Sequence, residues 1–221
     1  MYPVCLNIAK RLSVVVGGGS VAERKIRGIL AAHGQVRIVS PVLTAALQVL
    51  AEQERVEWRH KMYSADDLDG AYLVFAATNN PAVQEAVCED ARAAGVLLNV
   101  ADAPELCDFQ TPSVVRRGDL TLSVATNGRS PAVAAMVRRR LERGFGDEYG
   151  LLTALVARLR EQILRQANSD ADKKILFQKI LCDDIVDWLR ERQWERIQQH
   201  LESVLGRPVG HDLESLIKEN P

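Results

Sequence analysis

The chain reads as an α/β protein: a parallel sheet wound with helices, then a β-hairpin, then a helical tail. Three observations predict this. Short β-branched runs alternate with helix-length segments through the first hundred residues, the pattern of βαβ units. A glycine triplet, Gly17-Gly18-Gly19, stands where the first of these runs meets the first helical segment. From Asp147 onward the apolar residues recur at helical spacing.

Leu12 to Val16 is almost wholly apolar, as a strand buried on both faces should be. The glycines break it, and Ser20 to Ala32 predicts a helix. Val36 to Ser40 predicts a second strand closed by Pro41, followed by a helix from Thr44 to Gln53. Val56 to His60 alternates as a third strand, and Ser64 with Asp67 three residues on is a helix-start signal. Tyr72 to Ala77 is a further buried strand. Asn80-Pro81 opens a helix to Ala94, Gly95 ends it, and Val96 to Val100 is the next strand. Thr111 to Arg116 and Leu120 to Ala125 then predict a hairpin through Arg117-Gly118-Asp119. An isolated hairpin is marginally stable, so this one suits an arm for a partner subunit.

Ser130-Pro131 opens another helix, with arginines in its last turn and Gly144 as its stop. Leu152, Leu155, Val156, Leu159 and Ile163 form one apolar stripe. Ser169 caps a helix carrying Ile175, Leu176, Ile180 and Leu181; Ile185 to Leu189 and Ile197 to Leu205 follow, with Gly206 and Pro208 as stop signals. The last dozen residues are polar enough to fray. The domains expected are 1–110, 111–146 and 147–221.

The composition is that of an ordinary globular chain, with 221 residues, 47% hydrophobic and 26% charged. A formal charge of −1 gives no global attraction to nucleic acid or to an anionic membrane, and neither is an expected partner. Cys5, Cys88, Cys107 and Cys182 form no CxxC pair, which fits free thiols in a reducing compartment. His33, His60, His200 and His211 show no HxxxH spacing, so no protein metal site is expected. The apolar run of Leu12 to Val16 is far too short for a signal segment or a membrane span, and the cytoplasm is the expected location.

The segment from Leu12 to Ala22 contains the GxGxxA form of the dinucleotide fingerprint, between a first strand and a first helix as a Rossmann-like sheet requires. Gly17 permits the turn off the strand, Gly19 admits a pyrophosphate, and Ala22 lets the helix pack on the sheet. Gly18, Ser20 and Val21 complete the loop, whose amides and helix dipole hold phosphate. The acid expected about 20 residues later to hold ribose hydroxyls is missing. That strand ends Val39-Ser40-Pro41, where Ser40 is the substitute; no arginine there suits a 2′-phosphate, which leans towards NAD.

Thr78 and Asn79 follow a strand at the carboxyl edge of the sheet, where open α/β sheets bind ligands, although a strand end and Asn-Pro turn also explain them. Asp102, flanked by alanines at the same edge, reads equally as an acid/base or as a turn residue. None of Tyr2, Tyr63, Tyr72 or Tyr149 has lysine four residues later, which excludes the short-chain dehydrogenase pair. Among the basic residues, Arg138, Arg139 and Arg140 suit a solvated helix end. Arg129 beside Ser130 lies at a helix start that can receive a carboxylate, while Ser130 itself reads as an N-cap.

Four segments together resemble the precorrin-2 dehydrogenase/sirohydrochlorin ferrochelatase family, the N-terminal module of sirohaem synthases. They are Val14 to Lys25 (VVVGGGSVAERK), Phe75 to Asn79 (FAATN), Asn99 to Pro104 (NVADAP) and Gly128 to Ala132 (GRSPA), in the family's order and spacing. The resemblance runs from about residue 3 to about residue 205. It implies a Rossmann domain, a small dimerisation region of exchanged strands and a helical tail. It implies NAD on Gly17 to Ala22 with Ser40, Pro41 and Thr78 nearby, and Asp102 as the catalytic aspartate. Ser130 matches a substrate-pocket serine that is phosphorylated in some fused members.

The implied activity is NAD-dependent oxidation of precorrin-2 to sirohydrochlorin, with insertion of Fe²⁺ as a second activity of a homodimer. Arg116, Arg117 and Arg129 would pair with the acidic arms of the tetrapyrrole. A methyltransferase domain like that of the fused enzymes is not present in these 221 residues. The rival readings are an NAD-sensing regulatory module without tetrapyrrole chemistry, and a dehydrogenase for another anionic substrate.

Overall fold

The computed structural model describes residues 1–166, 169–206 and 208–209. The expected fraying of the last dozen residues, and His211 with it, lies outside the described residues. The chain divides into two compact units, Met1–Thr111 and Pro112–Pro221.

The first unit is a five-stranded, all-parallel sheet of β1 (Leu12–Val16), β2 (Gln35–Val39), β3 (Glu57–Arg59), β4 (Ala71–Ala76) and β5 (Leu97–Val100), in the order β3-β2-β1-β4-β5. The chain starts in the centre and winds first one way and then the other. The order in which strands are added therefore reverses at β1/β4, which is where such sheets open a crevice. Helices α1 (Ser20–Ala31), α2 (Ala45–Glu52) and α3 (Pro81–Ala93) are the crossovers.

The near-continuous apolar run of β1 follows from its central position. Val15 faces a core with Ala22, Ile26 and Ile29 of α1 and Leu47 of α2. Its neighbours Val14 and Val16 face the opposite core, with Val87, Cys88 and Ala91 of α3. Alternate side chains of one strand thus serve two cores, each fully buried valine contributing roughly 1.5–3 kcal/mol. β3 is shorter than the alternating 56–60 pattern predicts, covering Glu57–Arg59 at the sheet edge.

Beyond β3 the chain is tied down electrostatically. Asp67 has a side chain with no solvent exposure, 2.8 Å from Arg59 and 3.2 Å from Lys61. It also accepts the Ser64 amide at 3.0 Å, completing the capping box that the sequence signalled over Ala65–Leu68. Burial raises the Asp67 pKa, but the hydrogen bonds from Arg59, the Ser64 amide and Lys61 outweigh it and hold the carboxyl below its ordinary range.

The second unit begins with an antiparallel hairpin, β6 (Ser113–Arg117) and β7 (Leu120–Val124). The strand starts after the expected Thr111 because Pro112 has no amide to give the ladder. Gly118, at φ 53°, takes the first of two turn positions. Helix α4 (Pro131–Gly144) is capped by Ser130, as anticipated. Gly144, expected as the stop, is instead its last helical residue. Phe145 turns extended, and the Arg117 guanidinium takes the carbonyls of Glu142 at 3.1 Å and Phe145 at 2.8 Å.

Helices α5 (Glu148–Gln166), α6 (Asp170–Ile180), α7 (Ile185–Arg190) and α8 (Trp194–Leu205) surround Leu155, Leu159, Ile163, Ile180, Leu189 and Leu201. Gly206 adopts the left-handed stop predicted for it. Ile175 and Leu181 do not join this core: Ile175 lies about 140° around α6 from buried Ile180, and Leu181 follows the helix end. The hairpin is not isolated, since a Cβ on Gly150 of α5 would meet the Arg117 backbone at 2.9 Å.

A folded-state pKa below the unfolded one stabilises the fold above the ordinary aspartate value of 3.8, and that contribution disappears as pH falls through the folded value. Asp67→Asn is therefore expected to lose about 2–3 kcal/mol at pH 7. Urea unfolding should show the gap between wild type and variant closing below about pH 4; a gap independent of pH would show that charge is not what Asp67 contributes.

Candidate functional site

The carboxyl ends of β1, β2, β4 and β5 border a cleft of about 660 Å³ lined by Gly17, Gly18, Gly19, Ser20, Val21, Ser40, Pro41, Thr78, Asn79 and Asp102. Every cofactor-contact residue proposed from the sequence, and the proposed catalytic aspartate, thus line one cavity. All belong to the first unit.

The three glycines have different reasons to be there. Gly17 leaves β1 with φ 121°, and a Cβ would stand 2.1 Å from the Ala77 carbonyl oxygen. At Gly18 a Cβ would meet the Val42 carbonyl oxygen at 2.0 Å. Both positions are closed by the protein's own backbone. At Gly19 nothing among the described residues lies within 4 Å of an added Cβ, and α1 opens there with no side-chain cap. The first amides of α1 consequently keep their hydrogen-bonding capacity and their partial positive charge beside open space. A dinucleotide pyrophosphate fits that combination. Ala22, fully buried, lets the start of α1 lie against the sheet.

Ser40 donates its hydroxyl proton to the Val42 carbonyl at 2.7 Å, while its own carbonyl accepts from Trp58 Nε1 at 2.9 Å. Ser40 Oγ also accepts the Val42 amide at 3.4 Å, so one acceptor position remains, with the polarity of the missing acid towards ribose hydroxyls. Lys61 also lines the cleft, but its ammonium is paired with Asp67 at 3.2 Å. Tyr63, another lining residue, donates to Asp90 at 2.9 Å. Burial, then the Asp90 carboxylate, push its phenol well above the ordinary range, so it stays neutral.

On the other lip, Thr78 accepts the Asn80 amide at 3.2 Å, and Asn80 rather than Asn79 caps α3, through the amides of Ala82 and Val83. Asn79 is left exposed. Asp102 follows β5 with φ 62°, a left-handed conformation that aspartate and asparagine tolerate better than most residues. Its neighbour Ala101 donates to the Ala76 carbonyl at 2.9 Å, which fixes the turn to the end of β4. Asp102 is exposed at the cleft and is its one lining acid among the described residues.

Arg116, Arg117, Arg129 and Ser130 belong to the second unit. Arg116 and Arg129 are exposed. Ser130 Oγ accepts the Val133 amide at 3.3 Å as the cap of α4. Arg117 is occupied structurally by the α4 carbonyls and by Asp147 at 3.4 Å, so the structure employs it in holding the hairpin rather than leaving it for a ligand. Lys61, Tyr63 and Gln84 line the cleft without having been singled out from the sequence. Gln84 carries a readable signal, one helical turn after the Asn80 cap. Lys61 and Tyr63 lie on irregular chain after a three-residue strand, where periodicity has nothing to report.

Comparison with known proteins bears on the fold and the family. Residues 4–113 match a family described as NAD(P)-binding, and residues 117–144 match the central region of sirohaem biosynthesis proteins. The chain is 35% identical over 203 residues to sirohaem synthase of Nitrosococcus oceani, covering 92% of this chain and 43% of that protein. It is 33% identical over 209 residues to sirohaem synthase of Nitrosomonas eutropha, covering 94% and 44%. The chain thus spans less than half the length of these relatives. Among solved structures, SirC, a precorrin-2 dehydrogenase, superposes with a TM-score of 0.75 at 25% identity, covering 92% of this chain and 98% of that one.

Gly19→Ala separates ligand space from folding. The substitution is expected to change stability by no more than about 1 kcal/mol, because φ is −87° and the site is open. Calorimetric titration should show NAD⁺ binding at least about tenfold weaker, or about 1.4 kcal/mol. Undiminished binding would show that the pyrophosphate does not approach this position.

Proposed function

The chain belongs to the sirohaem-biosynthesis family that joins an NAD(P)-binding domain to the sirohaem central region, and we propose that it oxidises precorrin-2 to sirohydrochlorin. The observation that carries this reading is the placement of Asp102 in the same cleft as the Gly17–Val21 loop. NAD⁺, when bound, supplies the hydride acceptor for the partly reduced macrocycle. The chain's own residues do the rest.

The amides from Gly19 to Val21 hold the pyrophosphate, Ser40 and Pro41 adjoin a ribose, and Thr78 and Asn79 contact the cofactor from the opposite lip. Asp102 Oδ accepts the proton that leaves the macrocycle as its hydride departs, so oxidation yields NADH, sirohydrochlorin and one proton. The pairing of Lys61 with Asp67 leaves little attraction for a 2′-phosphate, which favours NAD⁺ over NADP⁺.

Precorrin-2 carries eight carboxylates, and Arg116 and Arg129 are assigned to its acidic arms, with Ser130 in the substrate pocket. Residues 111–146 form the dimerisation region of a homodimer through exchange of the β6–β7 hairpin, and residues 147–221 the helical domain. Ferrous iron is a second substrate: the macrocycle supplies its nitrogen ligands, and Asp102 removes the pyrrole protons. Among the described residues, no group of three or more His, Cys, Asp or Glu side chains is placed to hold a metal ion.

The four cysteines are free; the reducing cytosol is the place of action in this reading. No described helix is long and apolar enough to cross a membrane.

Incubation with precorrin-2 and NAD⁺ is expected to produce NADH and the sirohydrochlorin absorbance together. Asp102→Asn keeps the left-handed turn, and should abolish turnover while NAD⁺ affinity stays within about twofold. Arg129→Ala should raise the KM for precorrin-2 by about tenfold, the effect of one lost charge-assisted contact. NAD⁺ binding without tetrapyrrole binding would instead identify a nucleotide sensor.

A further inference from the structure

Lys25 is half-buried on α1 and does not line the cleft. Its Nζ donates to Asn99 Oδ1 and lies 5.1 Å from the centroid of the Phe75 ring. Asn99, only 5% exposed near the end of β5, uses its amide nitrogen to donate to the Phe109 carbonyl at 2.9 Å. The same nitrogen lies 3.6 Å from Cys107 Sγ. That sulfur accepts the Val100 amide at 3.1 Å and sits 3.3 Å from the carbonyls of both Val100 and Ala103. The segment from Val100 to Cys107 is therefore cinched at its base, with Asp102 inside it.

A long cation is a costly way to satisfy one amide oxygen. Burial, and secondarily Arg24, lower the Lys25 pKa, while Cys107 and Asp102 act in the opposite direction. The ammonium thus gives up hydration to stand behind the turn that carries the cleft's carboxylate.

We propose that Lys25 is a positioning residue for the oxidation: acting through Asn99, it fixes the turn that carries Asp102. This rests on Asp102 being the proton acceptor. Lys25 does not line the cleft in which cofactor and substrate are proposed to meet. Its removal should therefore alter the rate of the chemical step and leave the grip on the dinucleotide intact.

The test uses the full chain and three readouts. In Lys25→Met, which keeps the apolar stem, amide hydrogen exchange across residues 100–107 should quicken at least fivefold, with the β1 and β4 amides unchanged. The kcat for precorrin-2 should fall at least tenfold, with NAD⁺ affinity within twofold of wild type. Lys25→Arg, which keeps charge and donor, should recover most of the rate. Asn99→Leu should match the loss, and the double variant should lose no more than either single one, since both break the same path.

Unchanged kcat in Lys25→Met would overturn the proposal. So would a reduced kcat with undisturbed exchange at 100–107, or a parallel loss of NAD⁺ affinity, because each places the effect elsewhere. A wild-type protein that binds NAD⁺ but leaves precorrin-2 unoxidised would refute the proposed function instead, and the exchange measurement would still decide whether Lys25 braces the turn.

Discussion

The structure depends on how tightly the chain turns as it leaves its central strand. The residue after β1 must pass within van der Waals reach of the carbonyl after β4, and the next must pass beneath the 40–43 loop. Only residues without a Cβ clear both obstacles, which makes Gly17 and Gly18 demands of the fold itself. The consequence is that α1 begins over the crevice between diverging strands, with its first amides uncapped and open space in front of Gly19. Backbone crowding behind the loop creates the vacant, electropositive ground ahead of it.

Charge is distributed sparingly around that crevice. Lys61 is held by Asp67, the Tyr63 phenol is kept neutral by burial and Asp90, and the Ser40 proton is given to a carbonyl. Asp102 is the lining carboxylate left accessible, on a turn braced from beneath by Asn99, Cys107 and Lys25. A single exposed base on a fixed turn suits a reaction in which the cofactor carries the redox chemistry and the protein has one proton to move. That no tyrosine of the sequence has lysine four residues later has the same logic.

Much of this was legible in the sequence because it is local. Strand-helix alternation, the glycine turn, the Asn80 and Ser130 caps, the Ser64–Asp67 box and the hairpin turn are each specified by residues a few positions apart. The boundaries that shifted did so for tertiary or steric reasons. Gly144 stayed helical because Arg117, far away in sequence, takes the carbonyls at that helix end. Ile175 faces outward although its helix is amphipathic by pattern. The brace under Asp102 was hidden because Lys25 and Asn99 are 74 residues apart. Lys25 belongs to a segment whose resemblance was plain, but its partner is set by how α1 lies on the sheet, which no spacing rule encodes.

The central claim is that dinucleotide and macrocycle meet beside Asp102. A crystal structure of the protein with NAD⁺ and sirohydrochlorin tests this directly. The account predicts the pyrophosphate on the amides of residues 19–21, and a carboxylate oxygen of Asp102 within about 3 Å of the macrocycle, or one water away. A nicotinamide ring at the far end of the cleft, with Asp102 facing bulk solvent, would contradict it.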